Sequence, residues 1–310
     1  MLPETAPLVA LVGPTGAGKS DLSLQIAQFF EAEIVNCDSV QVYKCLDIGS
    51  AKLALEQRRG IPHHLVDIVN PHEELSAGEY ARVARDVLCS IRSRQRIPLV
   101  VGGTGFYLRA LLDGLSPAPA RDPELRKKLT KLEERRRGAL HRWLRLRDRT
   151  AAGRIHPNDA QKLIRAIELT ILAGRPATAV QAQPRQGLHG YSIIKIGLAP
   201  ERGALRERIN ERCSEMFRNG LLQETAALLS GGLSPGAKAL QTLGYKQAID
   251  VLSGQSSFEV GVAECQAKTR QYAKRQMTWF RGDPDIHWLH GFGNDPRIQQ
   301  SALDLLKNLL

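Results

Sequence analysis

Leu8-Val9-Ala10-Leu11-Val12 is an unbroken apolar run, and beyond a glycine-rich stretch Leu22, Ile26, Phe29 and Phe30 recur at helical spacing. A buried strand followed by an amphipathic helix is the reading. Glu33-Ile34-Val35-Asn36-Cys37 predicts a second short strand, and Leu65-Val66-Asp67-Ile68 a third. Tyr80 to Arg94 carries Val83, Val87, Leu88 and Ile91 on a helical face. Ile97-Pro98-Leu99-Val100-Val101 is another strand, ended by Gly102-Gly103. Strands alternating with helices predict a parallel α/β sheet.

The pattern changes after Ser116-Pro117-Ala118-Pro119-Ala120, which reads as a hinge. Leu125, Leu129 and Leu132 share one face of a helix over Glu124 to Arg137. Asn158 or Asp159 caps another, which ends at Gly174 with Pro176 beyond; Lys162 and Arg165 share a face of it. Pro184 to Gly190 is a second break. Tyr191 to Leu198 then reads as a strand returning to the sheet, Arg202 to Gly282 as mostly helical, and Ile286 to Leu289 as a last edge strand. The expected organisation is therefore an α/β core of residues 1–120 and 191–310, with an all-helical insertion at 121–190.

Charge sharpens that division. The chain of 310 residues has a formal charge of +11 and a pI near 9.6. Residues 121 to 175 hold sixteen Lys and Arg against seven acids, +9 of that total. A second segment, KTRQYAKRQMTWFR at 268 to 281, has five basic residues, no acid, and Tyr272, Trp279 and Phe280 among them. One basic run alone fits a solvated helix face; two favour a polyanionic partner, with the aromatics placed to stack on unpaired bases or to fill a helical core. No apolar stretch approaches membrane-spanning length. MLPETAPLVALV lacks a basic leader segment and reads as a core strand. Five scattered cysteines without a C-x-x-C pair suit a reducing cytoplasm and no zinc site.

Candidate chemistry begins at Val12 to Ser20, VGPTGAGKS. The spacing G-x-x-x-x-G-K-S, between strand and helix, fits a phosphate loop. Its glycines let the backbone wrap an anion; Gly13, Pro14, Thr15, Gly16, Ala17 and Gly18 form the cradle, Lys19 adds charge, and the Ser20 hydroxyl suits Mg²⁺. The second strand runs into Asp38, at the carboxyl end of the sheet where ligands bind. Its carboxylate reads either as a base aimed at a nucleophile or as a turn aspartate. The strand Leu99-Val100-Val101 ends in Gly102-Gly103-Thr104-Gly105 without the acid that phosphate-loop NTPases often carry there, which weakens a simple ATPase reading. Thr104 reads as a helix cap. His63 and His64, adjacent in a strand, face opposite ways, so structural roles are expected of them.

GPTGAGKS, DSVQVYKCLDIGSAK, IPHHLVDI, GGTGFYLRALLDGL, QKLIRAIEL, QTLGYKQAI and KRQMTWFR, in this order, resemble tRNA dimethylallyltransferases, from the first strand to about Gly282. Ser50 stands where that family usually has threonine in DIGTAK; both keep a hydroxyl. The chain has no C-terminal Cys–His finger of the eukaryotic kind, so the resemblance is to the bacterial type. It implies a phosphate-loop NTPase-like core with an inserted helical domain, and transfer of a dimethylallyl group from its diphosphate to N6 of adenosine 37 of tRNA; a cytoplasmic monomer using Mg²⁺ is expected. By resemblance, Lys19, Asp38 and Thr104 are catalytic, and Gly13 to Ser20 hold diphosphate; Arg212 is added from its place in the RINERCSEM stretch. Asp38, Ser39, Val40, Gln41, Thr104, Lys162, Leu163, Ile164, Arg165 and Ala166 meet the adenosine or the anticodon stem-loop, with Arg126, Gly244, Tyr245 and Lys246 as further candidates. The rivals are a small-molecule kinase using ATP, which leaves the basic insertion unexplained, and a nucleotide-gated RNA-binding protein.

Overall fold

The computed structural model describes residues 5–310; the first four residues of the stretch read as leading into a core strand lie outside it. The chain forms two compact units, one holding the residues up to Leu112 together with Leu188–Leu310, the other Asp113–Gly187.

In the first unit β1 (Ala6–Val12) leads through the glycine loop into α1 (Lys19–Phe30), and β2 (Glu33–Asn36) and β3 (His63–His64) follow. Helix α2 (Ala77–Ser93) precedes β4 (Pro98–Gly102) and α3 (Gly105–Leu112). The second unit contains α4 (Pro123–Arg135), α5 (Ala139–Arg147), α6 (Arg149–Arg154), α7 (Ala160–Ala173) and α8 (Ala177–Gln181). The chain returns with β5 (Tyr191–Leu198), α9 (Arg202–Arg218), α10 (Leu221–Ser230), α11 (Tyr245–Leu252), α12 (Phe258–Phe280), β6 (Ile286–Leu289) and α13 (Pro296–Leu309).

Among the described residues the sheet has six strands, all parallel, in the order β3-β2-β4-β1-β5-β6. One face packs Leu8, Ala10 and Val12 of β1 against Tyr80, Leu88 and Ile91 of α2 and Leu111 of α3. The other packs Val9 and Leu11 against Leu22 and Ile26 of α1 and Ala302 and Leu306 of α13. Alternate β1 side chains serve opposite cores, as the period of two requires, and the continuous apolar run follows from burial on both faces. A third cluster joins α9 to α12 around Phe217, Leu240 and Tyr245.

The third strand is not where hydrophobicity put it. It ends at His64, because Leu65 (φ 61°) and Asp67 (φ 58°) are in the left-handed region and turn the chain out of the sheet. His64 Nε2 lies 2.6 Å from Glu33 Oε2, and His63 Nδ1 lies 2.8 Å from the Ile61 carbonyl. Helix α2 starts three residues earlier than its apolar pattern, at a reciprocal cap between Ser76 and Glu79.

Within the second unit, Leu140, Leu144, Leu163 and Ile167 form a core with Val180. Asp159 caps α7 by accepting from the Lys162 amide at 3.1 Å, and Gly174 closes it at φ 65°. Of the sixteen basic residues counted above, all but Arg126 and Arg165 are exposed. Those two converge on Glu168, whose side chain is fully buried: Arg165 Nη1 donates at 2.6 Å, Arg126 Nη1 at 3.1 Å and the Asp122 amide at 2.8 Å. Burial alone would raise the Glu168 pKa, but the hydrogen bonds from Arg165 and the Asp122 amide outweigh it and hold it below the ordinary value.

Candidate active site

The glycine loop wraps because Gly13 (φ 142°), Gly16 (φ 81°) and Gly18 (φ 82°) take backbone angles closed to other residues. A Cβ at Gly18 would also stand 2.9 Å from the Gly293 amide nitrogen, and Gly293 donates to the Ala17 carbonyl at 2.8 Å. The loop is thus backed by the segment between β6 and α13. Lys19 turns its ammonium onto the loop's carbonyl oxygens, 3.0 Å from Gly13 and 2.8 Å from Pro14. Burial lowers its pKa to about 8, with the Asp38 charge opposing and that of Arg212 assisting.

In the sheet, β4 lies between β1 and β2, so Asp38 is two strands from the loop rather than beside it. The glycines that end β4 make the intervening space: a Cβ at Gly102 would overlap the Cys37 carbonyl, and one at Gly103 would overlap Gln276. Asn36 closes the turn after β2, accepting from the Asp38 amide at 3.1 Å and donating to the Leu65 carbonyl at 3.0 Å. Asp38 Oδ1 accepts from the Val40 amide at 2.8 Å, which fixes the carboxylate and keeps the other oxygen available. Thr104 does not cap α3 with its hydroxyl. It accepts instead from the Ser39 amide at 3.1 Å, tying the β4 turn to the Asp38 loop, while its carbonyl accepts from Tyr107.

These groups border a cavity of about 520 Å³ lined by Thr15, Lys19, Ser20, Asp38, Arg212 and Gln276, among others. A second cavity of about 360 Å³ shares Thr15, Asp38, Ser50, Arg212 and Met216 with it and continues to Tyr272, Cys213 and Thr242. Arg212 Nη1 donates to Thr15 Oγ1 at 3.3 Å, so a guanidinium from α9 joins the loop. Burial, with the Asp38 charge, pushes the Tyr272 hydroxyl up to about 12, which keeps it protonated. Gln41 donates to the Ser50 carbonyl at 3.1 Å. Ser50 spends its own hydroxyl on the Leu46 carbonyl at 2.5 Å, a local bond that threonine could equally make.

Ser20 opens on the larger cavity beside the loop. Mg²⁺ typically takes one or two protein oxygens and completes its shell with water and substrate phosphates, and a hydroxyl at this place fits that habit.

Several expected contact residues have other employment. Leu163, Ile164 and Ala166 are buried in the core of the second unit, and Arg165 is held by Glu168, so of that segment only Lys162 presents an exposed side chain. Tyr245 is buried and its hydroxyl donates to Glu224 at 2.5 Å; Glu224 also accepts from the Ile48 amide at 2.9 Å. Tyr245 therefore braces the 47–50 loop, and its ring fills the space beside Gly49. Gly244 starts α11 at φ 89°, and Lys246 is exposed. Phe280 is a core residue, whereas Trp279 is 45% exposed and lies against Gly105. Gln276 escaped the sequence reading. It stood inside a basic segment, and nothing local marks a contact with residues 15 and 103.

A phosphate loop opening a parallel sheet, with an acid and an arginine converging on the loop's cavity, defines a phosphate-loop α/β protein built to hold a phosphorylated substrate against a second reactant. Residues 41–283 match the family model described as IPP transferase, and residues 6–66 the one described as isopentenyl transferase. The chain is 51% identical to the tRNA dimethylallyltransferase of Solibacter usitatus, over 98% of this chain and 99% of that one. It is 52% identical to that of Koribacter versatilis, over 97% and 98%. Among solved structures, a tRNA isopentenylpyrophosphate transferase from Bacillus halodurans matches with a TM-score of 0.73 and 34% identity, covering 98% of this chain and 96% of that one. A eukaryotic dimethylallyltransferase acting on tRNA matches with a TM-score of 0.80 and 28% identity, covering 98% and 80%. The chain belongs to the tRNA dimethylallyltransferase family. The small-molecule kinase alternative finds no favour among these relatives.

Proposed function

We infer that the protein transfers a dimethylallyl group from dimethylallyl diphosphate to N6 of the adenosine at position 37, beside the anticodon of tRNA, and releases diphosphate. The observation that carries this reading is the pair of cavities sharing Thr15, Asp38 and Arg212, with Lys19 and Ser20 on one only. The loop amides, Lys19 and Arg212 hold the diphosphate and stabilise the charge that grows as the carbon–oxygen bond breaks. Ser20 would hold Mg²⁺ beside the diphosphate, and the ion would add neutralisation of that charge. The second cavity receives a purine extruded from its stack, as chemistry on a base requires. Ile209 and Met216 on its wall give the prenyl chain an apolar surface.

Adenine N6 is a weak nucleophile because its lone pair is delocalised into the ring. Asp38 accepts a proton from N6 as the new bond forms, through the oxygen not committed to Val40. Thr104 and Ser39 hold the loop that carries this carboxylate. The fourteen exposed Lys and Arg of the 121–175 stretch supply phosphate contacts to the anticodon stem. Ser39, Val40, Gln41 and Lys246 are kept as candidates for contact with RNA.

We place the enzyme in the cytoplasm as a monomer. All five cysteines are free thiols, and none of the helices among the described residues is long and apolar enough to cross a membrane. The test is incubation of tRNA with isotopically labelled dimethylallyl diphosphate and Mg²⁺, followed by nucleoside mass analysis. One labelled prenyl unit on adenosine is expected. Unmodified adenosine in the presence of active donor would refute the reading.

A further inference from the structure

We propose that Gln276 is a positioning residue that sets the distance between the diphosphate cradle and the adenosine-side loop. The proposal rests on the reading of the site given above. Gln276 projects from α12 into the gap between two turns of the sheet and is 5% exposed. Its Oε1 accepts from the Thr15 amide at 2.9 Å, and its Nε2 donates to the Gly103 carbonyl at 2.8 Å. A single planar amide therefore spans the loop after β1 and the turn after β4.

Each end of that span continues toward a reactant. Thr15 receives Arg212 through its hydroxyl, and next to Gly103 stands Thr104, which receives the Ser39 amide beside Asp38. The resulting path runs Arg212, Thr15, Gln276, the Gly103–Thr104 turn, Ser39 and Asp38. Strands β1 and β4 pair along their length, with Val12 opposite Gly102, but the pairing stops there. Beyond that point the side chain of Gln276 bridges the two turns. Gly103 is compatible with this geometry because a Cβ there would overlap the amide.

The amide is required for its asymmetry: one end must accept and the other must donate. A carboxylate of the same shape accepts at Thr15 but sets a second lone pair against the Gly103 carbonyl. A protonated carboxyl restores the donor. Gln276→Glu therefore converts the bridge into one that depends on pH, whereas a residue that only fills space is indifferent to that proton.

Wild type, Q276E and Q276A are compared in steady-state prenyl transfer to tRNA between about pH 6 and pH 8.5, with thermal melts of each. Wild-type transfer tests the underlying reading independently. Given it, Q276A is expected to lower kcat about 100-fold while changing the KM for tRNA little, since misplacing reactants costs on that order. The activity of Q276E relative to wild type is expected to rise as pH falls, by up to about tenfold per unit, the limit for one proton. If Q276A does not melt cooperatively, the Q276E ratio decides. A folded Q276A within about twofold of wild type, or a Q276E-to-wild-type ratio flat with pH, overturns the proposal.

Discussion

Asp38 and Arg212 stand together on the boundary of both cavities, a carboxylate from the loop after β2 and a guanidinium from α9. Opposite charges at that junction suit a reaction in which an anion departs one way while a proton is taken up on the other side.

Replacing Asp38 with Ala or Asn removes the acceptor and leaves the loop's remaining bonds to Thr104 and Asn36. A loss of about 10²–10⁴ in kcat is expected, with tRNA affinity retained. Single-turnover kinetics with a filter-binding assay checks this. Near-wild-type turnover by Asp38→Ala would remove the base from the mechanism.

Lys19 binds an anion best as an ammonium, and burial has brought its pKa to about 8. Below that pH the charge is in place; as pH rises through it, the diphosphate must draw a proton onto the lysine, and affinity falls by up to about tenfold per unit. Titration calorimetry with inorganic pyrophosphate and Mg²⁺, comparing wild type with Lys19→Ala, reads it. A wild-type-to-variant affinity ratio constant from about pH 7 to pH 9.5 would contradict the assignment.

Glu168 holds three donors in the core of the second unit. Glu168→Ala strands the Asp122 amide and releases both arginines, and about 2–3 kcal/mol of destabilisation is expected, discounted because the arginines are partly solvated. Its pKa is lower in the folded chain than in the unfolded one, so this stability is present above the ordinary glutamate range and fades as pH falls through the folded value. Urea unfolding of wild type and variant at about pH 7 and pH 3.5 measures both effects; equal midpoints at neutral pH would deny Glu168 its role.

The exposed basic residues of the 121–175 stretch predict a steep fall of tRNA affinity with salt. Arg126 and Arg165 are bound to Glu168, so replacing them should change the logarithmic slope less than replacing exposed arginines such as Arg135 and Arg136. Binding measured from about 50 to 200 mM salt tests this, and a flat dependence would mean that these side chains do not meet phosphates.

Gly102→Ala places a methyl on the Cys37 carbonyl. The β2 and β4 turns must separate to admit it, and prenyl transfer is expected to fall about 100-fold through misplacement of Asp38. Full activity in a folded Gly102→Ala chain would show that the two turns have slack.

Much of this was readable along the chain. The glycine loop declared itself by spacing and β1 and β4 by apolar runs, whereas Asp38, after a strand, read equally as a base or a turn residue. Sheet order was not readable: β4 comes between β1 and β2, so Asp38 stands two strands from the loop although its strand is the next in the chain. Left-handed backbone at Leu65 and Asp67 has no apolar signature, so β3 was drawn too late and too long. QKLIRAIEL carried a family resemblance, but the apolar positions Leu163, Ile164 and Ile167 already belonged to a helix core. Their periodicity is the signal that could have kept them off the RNA-facing set. Gln276 meets residues 261 and 173 positions away, and no local pattern encodes that.

The backing of Ala17 and Gly18 by Gly293 has a consequence for how the protein is made. During synthesis the first strand and its loop leave the ribosome well before the segment that supports them. Until then Ala17 and Gly18 lack that backing, and a chain cut short before that glycine carries the loop without its support. A loop made first thus waits for a glycine made much later.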